Sequence, residues 1–484
     1  MKKLYISAAT AIIMALSAIS AYAQIGNVYI HDPSTVVMSD GKYFTFGTGG
    51  GGLISDDGWT WRDGAIRPGG GVAPDIIKIG DRYLVSYSGA FPGTEGKTHG
   101  NIITMWTNSL DPESPEFGYS DPMLVAYAER DDDCEAIDPA FLMGPDGRLW
   151  CTYGTYYGYV RIVELDPATG NRIPGNQSVD IALDCEATAM MYRNGWYYLL
   201  ATHGTCCDGV NSTYHIVVGR SKSPTGPYYD HLGRDMIHGG GKMVLSAGNR
   251  FSGPGHFGLF VEDEGVEKMS CHYEADYDRS GRSVLAINAL LWKDDWPYVD
   301  DPFTEGTYEI ESQRVGYSLE LAVDFVRLQG GMRIPRGAGA DAIPNVSLEY
   351  QKLVDVISDW PKGDIAIRMD NYMQRPHQRW TVTAVPDKGG YLGAPYYKIE
   401  IEGTHRALAA TADGELISVP AYTGADEQLW RIERLVDGTY RIMPKAIPGY
   451  EGEPLALVAT GDSTVALGKY DFNSVNCKWN FRDR

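Results

Sequence analysis

From residue 24 to about 335 the chain consists of short runs in which aromatic and β-branched residues dominate, each entered through a Gly or Asn turn. Apolar positions at helical spacing are almost absent, so the pattern predicts strands and an all-β fold. Five runs resemble one another: 41–47 (GKYFTFG), 81–88 (DRYLVSYS), 147–154 (GRLWCTYG), 195–201 (GWYYLLA) and 268–273 (KMSCHY). Five recurrences predict a five-bladed β-propeller, and loop insertions account for their uneven spacing. A β-sandwich with extra sheets is the alternative architecture.

At 333–340 (RIPRGAGA) the pattern breaks into Gly, Ala and Pro before a different β-rich composition resumes. That break predicts a propeller over 24–338 and a second domain over 345–484. In the second part Gln378-Arg379-Trp380, Gln428-Leu429-Trp430 and Cys477-Lys478-Trp479 recur at near-equal intervals. Three such Trp positions predict three repeats, each ending on a buried indole. This resembles the ricin-type β-trefoil, which implies a possible carbohydrate-binding module. Because Gln-x-Trp is a core feature, a purely structural role is the alternative.

The 484 residues are long enough for two domains. Met1-Lys2-Lys3, a mostly apolar run to Ile19 and then Ala21-Tyr22-Ala23 predict a signal peptide over 1–23, with export to the periplasm or the medium. The run is short for a span, and no later stretch reaches about 20 apolar residues, so no membrane anchor is expected. With 63 acidic against 42 basic side chains, the net charge of -21 repels phosphate backbones and disfavours nucleic acid as a partner. A neutral glycan suits this surface better than a polyanionic one. The seven cysteines form no zinc-like spacing; adjacent Cys206 and Cys207 are not expected to bridge, and all read as small buried side chains.

Three segments set an acid among apolar or small residues: 30–34 (IHDPS), 136–140 (AIDPA) and 184–188 (DCEAT). Glycosidic bonds are cleaved by two carboxyl groups, one protonated to assist the leaving oxygen and one ionised to activate water or attack carbon. Pro33 and Pro139 remove a backbone donor and are expected to hold Asp32 and Asp138 extended at the inner starts of two strands. One Asp-Pro alone is an ordinary turn; two of them, with Glu186 and five blades, suggest a site.

In this order the three segments resemble the base, the pKa-tuning aspartate and the acid of family 43 glycoside hydrolases, a five-bladed propeller family with an inverting mechanism. The run 206–214 (CCDGVNSTY), leading into 218–223 (VGRSKS) and 225–228 (TGPY), is most similar to endo-α-1,5-L-arabinanases. Gly253-Pro254-Gly255-His256, His272-Tyr273 and Leu290-Leu291-Trp292 extend that resemblance over 27–300.

The resemblance implies Asp32 as general base, Glu186 as general acid, and Asp138 as the group that orients Glu186 and raises its pKa. An ionised Asp138 would keep Glu186 protonated while a hydrogen-bonded Asp32 stays charged. An inverting pair is expected to be about 6.5 to 9.5 Å apart. His31, Asp75, Tyr157 and Ser212 are the candidate substrate contacts. His256 is expected beside a central-channel calcium reached largely through water, since a lone imidazole is a poor calcium ligand. No organic cofactor is implied, the partner is a poly- or oligosaccharide, and a monomer is expected.

Three departures from the family pattern bear on specificity. Val72 stands where the Trp-Ala-Pro-Asp element carries its indole, Tyr157 lies in a segment that commonly carries Trp, and the stretch 88–101 follows no usual arabinanase loop. Losing one aromatic platform removes about 1 kcal/mol of ring contact, enough to alter chain preference. The alternative function is therefore exo cleavage of arabinosyl, xylosyl or galactosyl linkages. An alternative of another class is a non-catalytic lectin, which predicts a disrupted Asp32 or Glu186.

Overall fold

Each of the five recurring runs becomes the second strand of its own sheet: Lys42–Phe46, Arg82–Ser88, Leu149–Tyr153, Trp196–His203 and Val266–Asp276. Phe44, Leu84, Cys151, Leu199 and Cys271 on these strands are fully buried. Strands covered on both faces read as near-continuous apolar runs, which is why they could be seen in the sequence. The computed structural model describes residues 24–263, 265–300, 303–323, 357 and 360–483. The expected signal peptide lies outside these residues, and among them no helix is long and apolar enough to cross a membrane.

The five sheets are the blades of a β-propeller. Blades II to V are four-stranded antiparallel meanders whose inner strands are Val72–Ile79, Ala140–Met143, Glu186–Arg193 and Phe251–Asp263; blade I begins with Val37–Ser39. Blade I gains a fifth strand, Ile25–Gly26, parallel to Thr60–Ile66. The chain then crosses to blade V, where the Val28 carbonyl accepts the Leu285 N–H at 2.8 Å. The N-terminal residues thereby join the last blade to the first.

One backbone feature recurs in every blade. At or just before the inner strand there is a non-glycine residue with positive φ: Asp32 (51°), Ala73 (51°), Asp138 (54°), Ala187 (45°) and His256 (56°). Register slips accompany it at Val72/Asp75, Glu186/Ala189 and Gly255/Gly258. Left-handed non-glycine residues are uncommon and concentrate at functional sites. The extended backbone expected at Asp32 and Asp138 does not form. Proline bars the right-handed helical region to the residue before it, and both aspartates adopt the left-handed region that recurs in all five blades.

The chain divides into two compact units, one running to residue 302 with Gly389–Ala394 and the other covering 303–388 and 395–484. The boundary expected between 338 and 345 falls outside the described residues. Gly306–Ser312 pairs with Trp479–Asp483, and Ser318–Leu321 with Ile365–Asp370. The second unit therefore includes Gly306–Ser312 and Ser318–Leu321, which precede the change in composition.

That second unit repeats threefold. The indoles of Trp380, Trp430 and Trp479, all fully buried, donate to the carbonyls of Leu319 (2.8 Å), Leu408 (3.0 Å) and Leu457 (2.9 Å). Each follows a 3-10 turn, Pro376–Gln378, Asp426–Gln428 or Val475–Cys477. Tyr308, Tyr397 and Tyr440 are the strand partners of the three Trp residues, and their rings surround Phe303 at 5.3 to 5.7 Å.

Candidate active site

Residues at or beside the left-handed positions of blades I, III, IV and V bring polar groups together. Asp32, 17% exposed at its side chain, is ringed by imidazoles. Its Oδ2 lies 3.0 Å from His31 Nδ1 and its Oδ1 lies 3.5 Å from His256 Nδ1. Its backbone N–H donates to His272 Nδ1 at 2.9 Å. Thr48 completes the set: its hydroxyl accepts the Ala73 N–H (3.0 Å), which directs its own proton to Asp32 Oδ2 (2.6 Å). Burial pushes the Asp32 carboxyl up, but hydrogen bonds from His256 and His31 outweigh it and hold the pKa well below the usual range.

The imidazoles divide into charged and neutral. Burial opposes a charge on His31, yet Asp32 on one side and Glu274 on the other (Nε2 to Oε1, 3.3 Å) raise it to about 10. His272 is fully buried, and its pKa is lowered to about 3, chiefly by that burial and then by His31. It is therefore neutral, with Nδ1 free to accept from Asp32. Burial also lowers His256, but the Asp32 carboxylate raises it by more.

The other two carboxyls are more deeply buried. Glu186 and Asp138 are 7% and 8% exposed. The Asp138 Oδ2 accepts the Ala187 N–H at 3.1 Å, which fixes the backbone next to Glu186. Glu186 Oε2 accepts from the Thr155 hydroxyl at 2.8 Å, and Oε1 accepts from the Tyr214 hydroxyl. Burial first and the Asp138 charge second push Glu186 up to about 8. Asp138 is itself pushed up to about 7, again mainly by burial. It is thus not the simple anion the sequence suggested. Burial disfavours a charge on either acid, and the Asp138 charge raises Glu186 further.

Other expected site residues take different places. Asp75 accepts the N–H groups of Thr35 (3.1 Å) and Phe141 (2.9 Å), which ties the Val72–Ile79 strand to its neighbours in blades I and III. Ser212 gives its proton to the Thr205 carbonyl (2.8 Å) and accepts from the Tyr214 N–H (3.2 Å), supporting Tyr214. Tyr157 is 78% exposed, with its ring 4.5 Å from that of Tyr156, and is available for stacking. Gly255 is needed where it stands, because a Cβ there would lie 2.6 Å from the Tyr214 ring.

Cys206 and Cys207 form a disulfide, contrary to expectation, whereas Cys134, Cys151, Cys185, Cys271 and Cys477 are free and buried. A bulged loop with Cys207 at φ 65° brings the two sulfurs together. His256 is the residue expected beside a water-coordinated calcium, and its Nδ1 faces Asp32. No cluster of three possible metal ligands among the described residues includes it. A hard cation takes six to eight oxygens, so the protein groups at His256 do not by themselves fit calcium.

The sequence profile of glycosyl hydrolases family 43 matches residues 29–297, which contain all of these groups. The chain belongs to that family. Extracellular endo-α-(1→5)-L-arabinanase 1 of Bacillus subtilis is 32% identical over 229 residues, 46% of this chain and 67% of the relative. Extracellular exo-α-(1→5)-L-arabinofuranosidase ArbA of Cellvibrio japonicus is 30% identical over 308 residues, 57% and 87% of the two chains. The solved structure of Cellvibrio cellulosa α-L-arabinanase complexed with arabinohexaose aligns with a TM-score of 0.52 at 27% identity, over 57% of this chain and 96% of that one.

For a family 43 glycosyl hydrolase the site's working parts extend beyond the sequence-derived list to Thr48, Thr155, Tyr214, His272 and Glu274. His272 and Tyr214 lay inside quoted motifs but had no assigned role. Thr48, Thr155 and Glu274 carried no local signal, because each acts on a residue contributed by another part of the chain.

Proposed function

We propose that this family 43 enzyme hydrolyses α-1,5-linked L-arabinan with inversion, Asp32 acting as general base and Glu186 as general acid. The observation that carries the reading is the opposite protonation of the two carboxyls: one ionised among imidazoles, the other protonated where it is buried beside Asp138. Asp32 takes a proton from water as that water attacks the anomeric carbon. Glu186 gives its proton to the departing sugar oxygen on the opposite side. Asp138 positions Glu186 through the Ala187 N–H and adds to the cost of a charge there. Tyr157 supplies a stacking face for a sugar ring.

The names of the relatives support arabinan as the substrate and an extracellular site of action, one relative being an endo and the other an exo enzyme. Val72 in place of an indole favours exo cleavage as the second reading. The threefold unit is proposed to be a ricin-type trefoil that binds glycan and holds the enzyme on polysaccharide. Calcium near His256 is proposed only as a water-coordinated ion, and no catalytic step is assigned to it.

Debranched linear arabinan, incubated with the protein and its Glu186→Gln variant, tests the reading through product size, reducing ends and product anomer. Mixed short oligomers from wild type alone establish endo action; a single small product establishes exo action. No products, with galactan and xylan cleaved instead, would overturn arabinan. Retardation of Glu186→Gln in gels containing arabinan tests glycan binding, and metal analysis before and after chelation tests calcium.

A further inference from the structure

A second cluster shares His31 and Glu274 with the catalytic groups and adds a disulfide to which hydrolysis assigns no role. The Cys206–Cys207 disulfide lies in the loop between Trp196–His203 and His215–Ser221. Cys207 is exposed, and its N–H donates to Glu274 Oε1 at 3.0 Å. The same oxygen faces His31 Nε2 at 3.3 Å. One donor atom from each of His31, Cys206, Cys207 and Glu274 lies within 4.8 Å of the others. Two sulfurs, an imidazole and a carboxylate match the number and type of donors that a tetrahedral thiophilic dication takes, at about 2.0 to 2.3 Å from each. While the sulfurs are bonded to each other neither is a thiolate, and the set is two ligands short.

We propose that reduction of Cys206–Cys207 opens a site of two thiolates, one imidazole and one carboxylate for a thiophilic divalent cation, zinc or cadmium, which captures His31 Nε2 and stops hydrolysis. A trialkylphosphine serves as the reductant. Its phosphorus lone pair supplies the two electrons that break the S–S bond, and water supplies the oxygen of the phosphine oxide and the hydrogens of both thiols. The cation then displaces both thiol protons and the proton on Nε2 of His31.

The outer support that a metal-bound imidazole needs is already built. His31 Nδ1 lies 3.0 Å from Asp32 Oδ2, the carboxylate–histidine–metal arrangement that fixes ring and tautomer. A dication behind that ring draws on the same carboxylate that would activate water. The inhibition rests on the reading of Asp32 as base; the binding does not. The five remaining cysteines are buried and belong to no such cluster among the described residues.

The whole protein, reduced with tris(2-carboxyethyl)phosphine, desalted without air and titrated with cadmium, is expected to develop thiolate-to-metal absorption that saturates at a single ion per chain. The oxidised protein is expected to develop none. Zinc at the same ratio is expected to lower hydrolysis on the order of 10²-fold, the contribution of a general base, with recovery on chelation. No uptake by reduced protein overturns the site, as does equal uptake by oxidised protein or by reduced Cys206→Ser/Cys207→Ser. Uptake with hydrolysis intact upholds the site and overturns its link to Asp32. A protein that cleaves no glycan overturns the hydrolase reading and leaves the absorption test standing.

Discussion

Asp32-Pro33 in blade I and Asp138-Pro139 in blade III have the same local chemistry and nearly the same φ, 51° and 54°. Their carboxyls nonetheless go in opposite directions, Asp32 well below the usual range and Asp138 up to about 7. Asp32 has His31, His256 and the Thr48 hydroxyl against it, whereas Asp138 faces burial and the charge of Asp32, offset in part by the more distant charge of His256 and by one backbone N–H. Backbone geometry places a carboxyl; the neighbours supplied by the rest of the chain decide its proton.

The hardest test of this contrast removes the two working groups. Asp32→Asn and Glu186→Gln are each expected to lower kcat by about 10² to 10⁴-fold, with the far-ultraviolet spectrum unchanged. Equal, small losses from both would mean that the opposed protonation states do no chemistry.

Asp138→Asn separates positioning from charge. The loss of a negative neighbour lowers the pKa of Glu186, so the alkaline limb of the kcat profile is expected to move down by about one pH unit, with kcat falling roughly tenfold. An unmoved limb would show that Asp138 contributes no charge to Glu186 and that burial and Asp32 raise it.

His256→Asn acts first on Asp32. Removing an imidazole that holds Asp32 down is expected to shift the acid limb upward by up to about one unit, and the alkaline limb upward by less, because His256 also lowers Glu186. A larger shift of the alkaline limb than of the acid limb would mean that His256 acts mainly on Glu186.

The smallest effect is on stability. Glu186 has a folded pKa raised from 4.5 to about 8, so the stabilisation associated with its protonated form is complete below 4.5 and is lost as pH rises through about 8. Glu186→Gln stays neutral throughout. It is expected to raise the melting temperature by roughly 2–4 °C above that range, and to change it little below 4.5. Calorimetry at the two pH values checks the sign.

Much of this site was legible because Asp32, Asp138 and Glu186 are acids in apolar or small-residue surroundings at strand starts, an unusual setting for a surface acid. Their shared left-handed backbone was not legible, since proline after a residue excludes one region without selecting among the others. The tie that Asp75 makes to Thr35 and Phe141 was not legible, because both amides come from other blades. The disulfide was missed because sequence adjacency argues against bridging, while the bulged loop at Cys207 permits it.

By itself, then, the sequence determined the number of blades, the three Trp repeats and the identity of the three central acids. Each of these is written in local pattern: buried strands in apolar runs, repeats in recurring Trp motifs, acids in anomalous surroundings. Only the tertiary structure decided which acid keeps its proton, how Thr155 and Tyr214 hold it, and that His31 lies between Asp32 and Glu274. Those outcomes depend on electrostatics and hydrogen bonds between residues far apart in the chain, and such distances exist only after the ring of blades has closed.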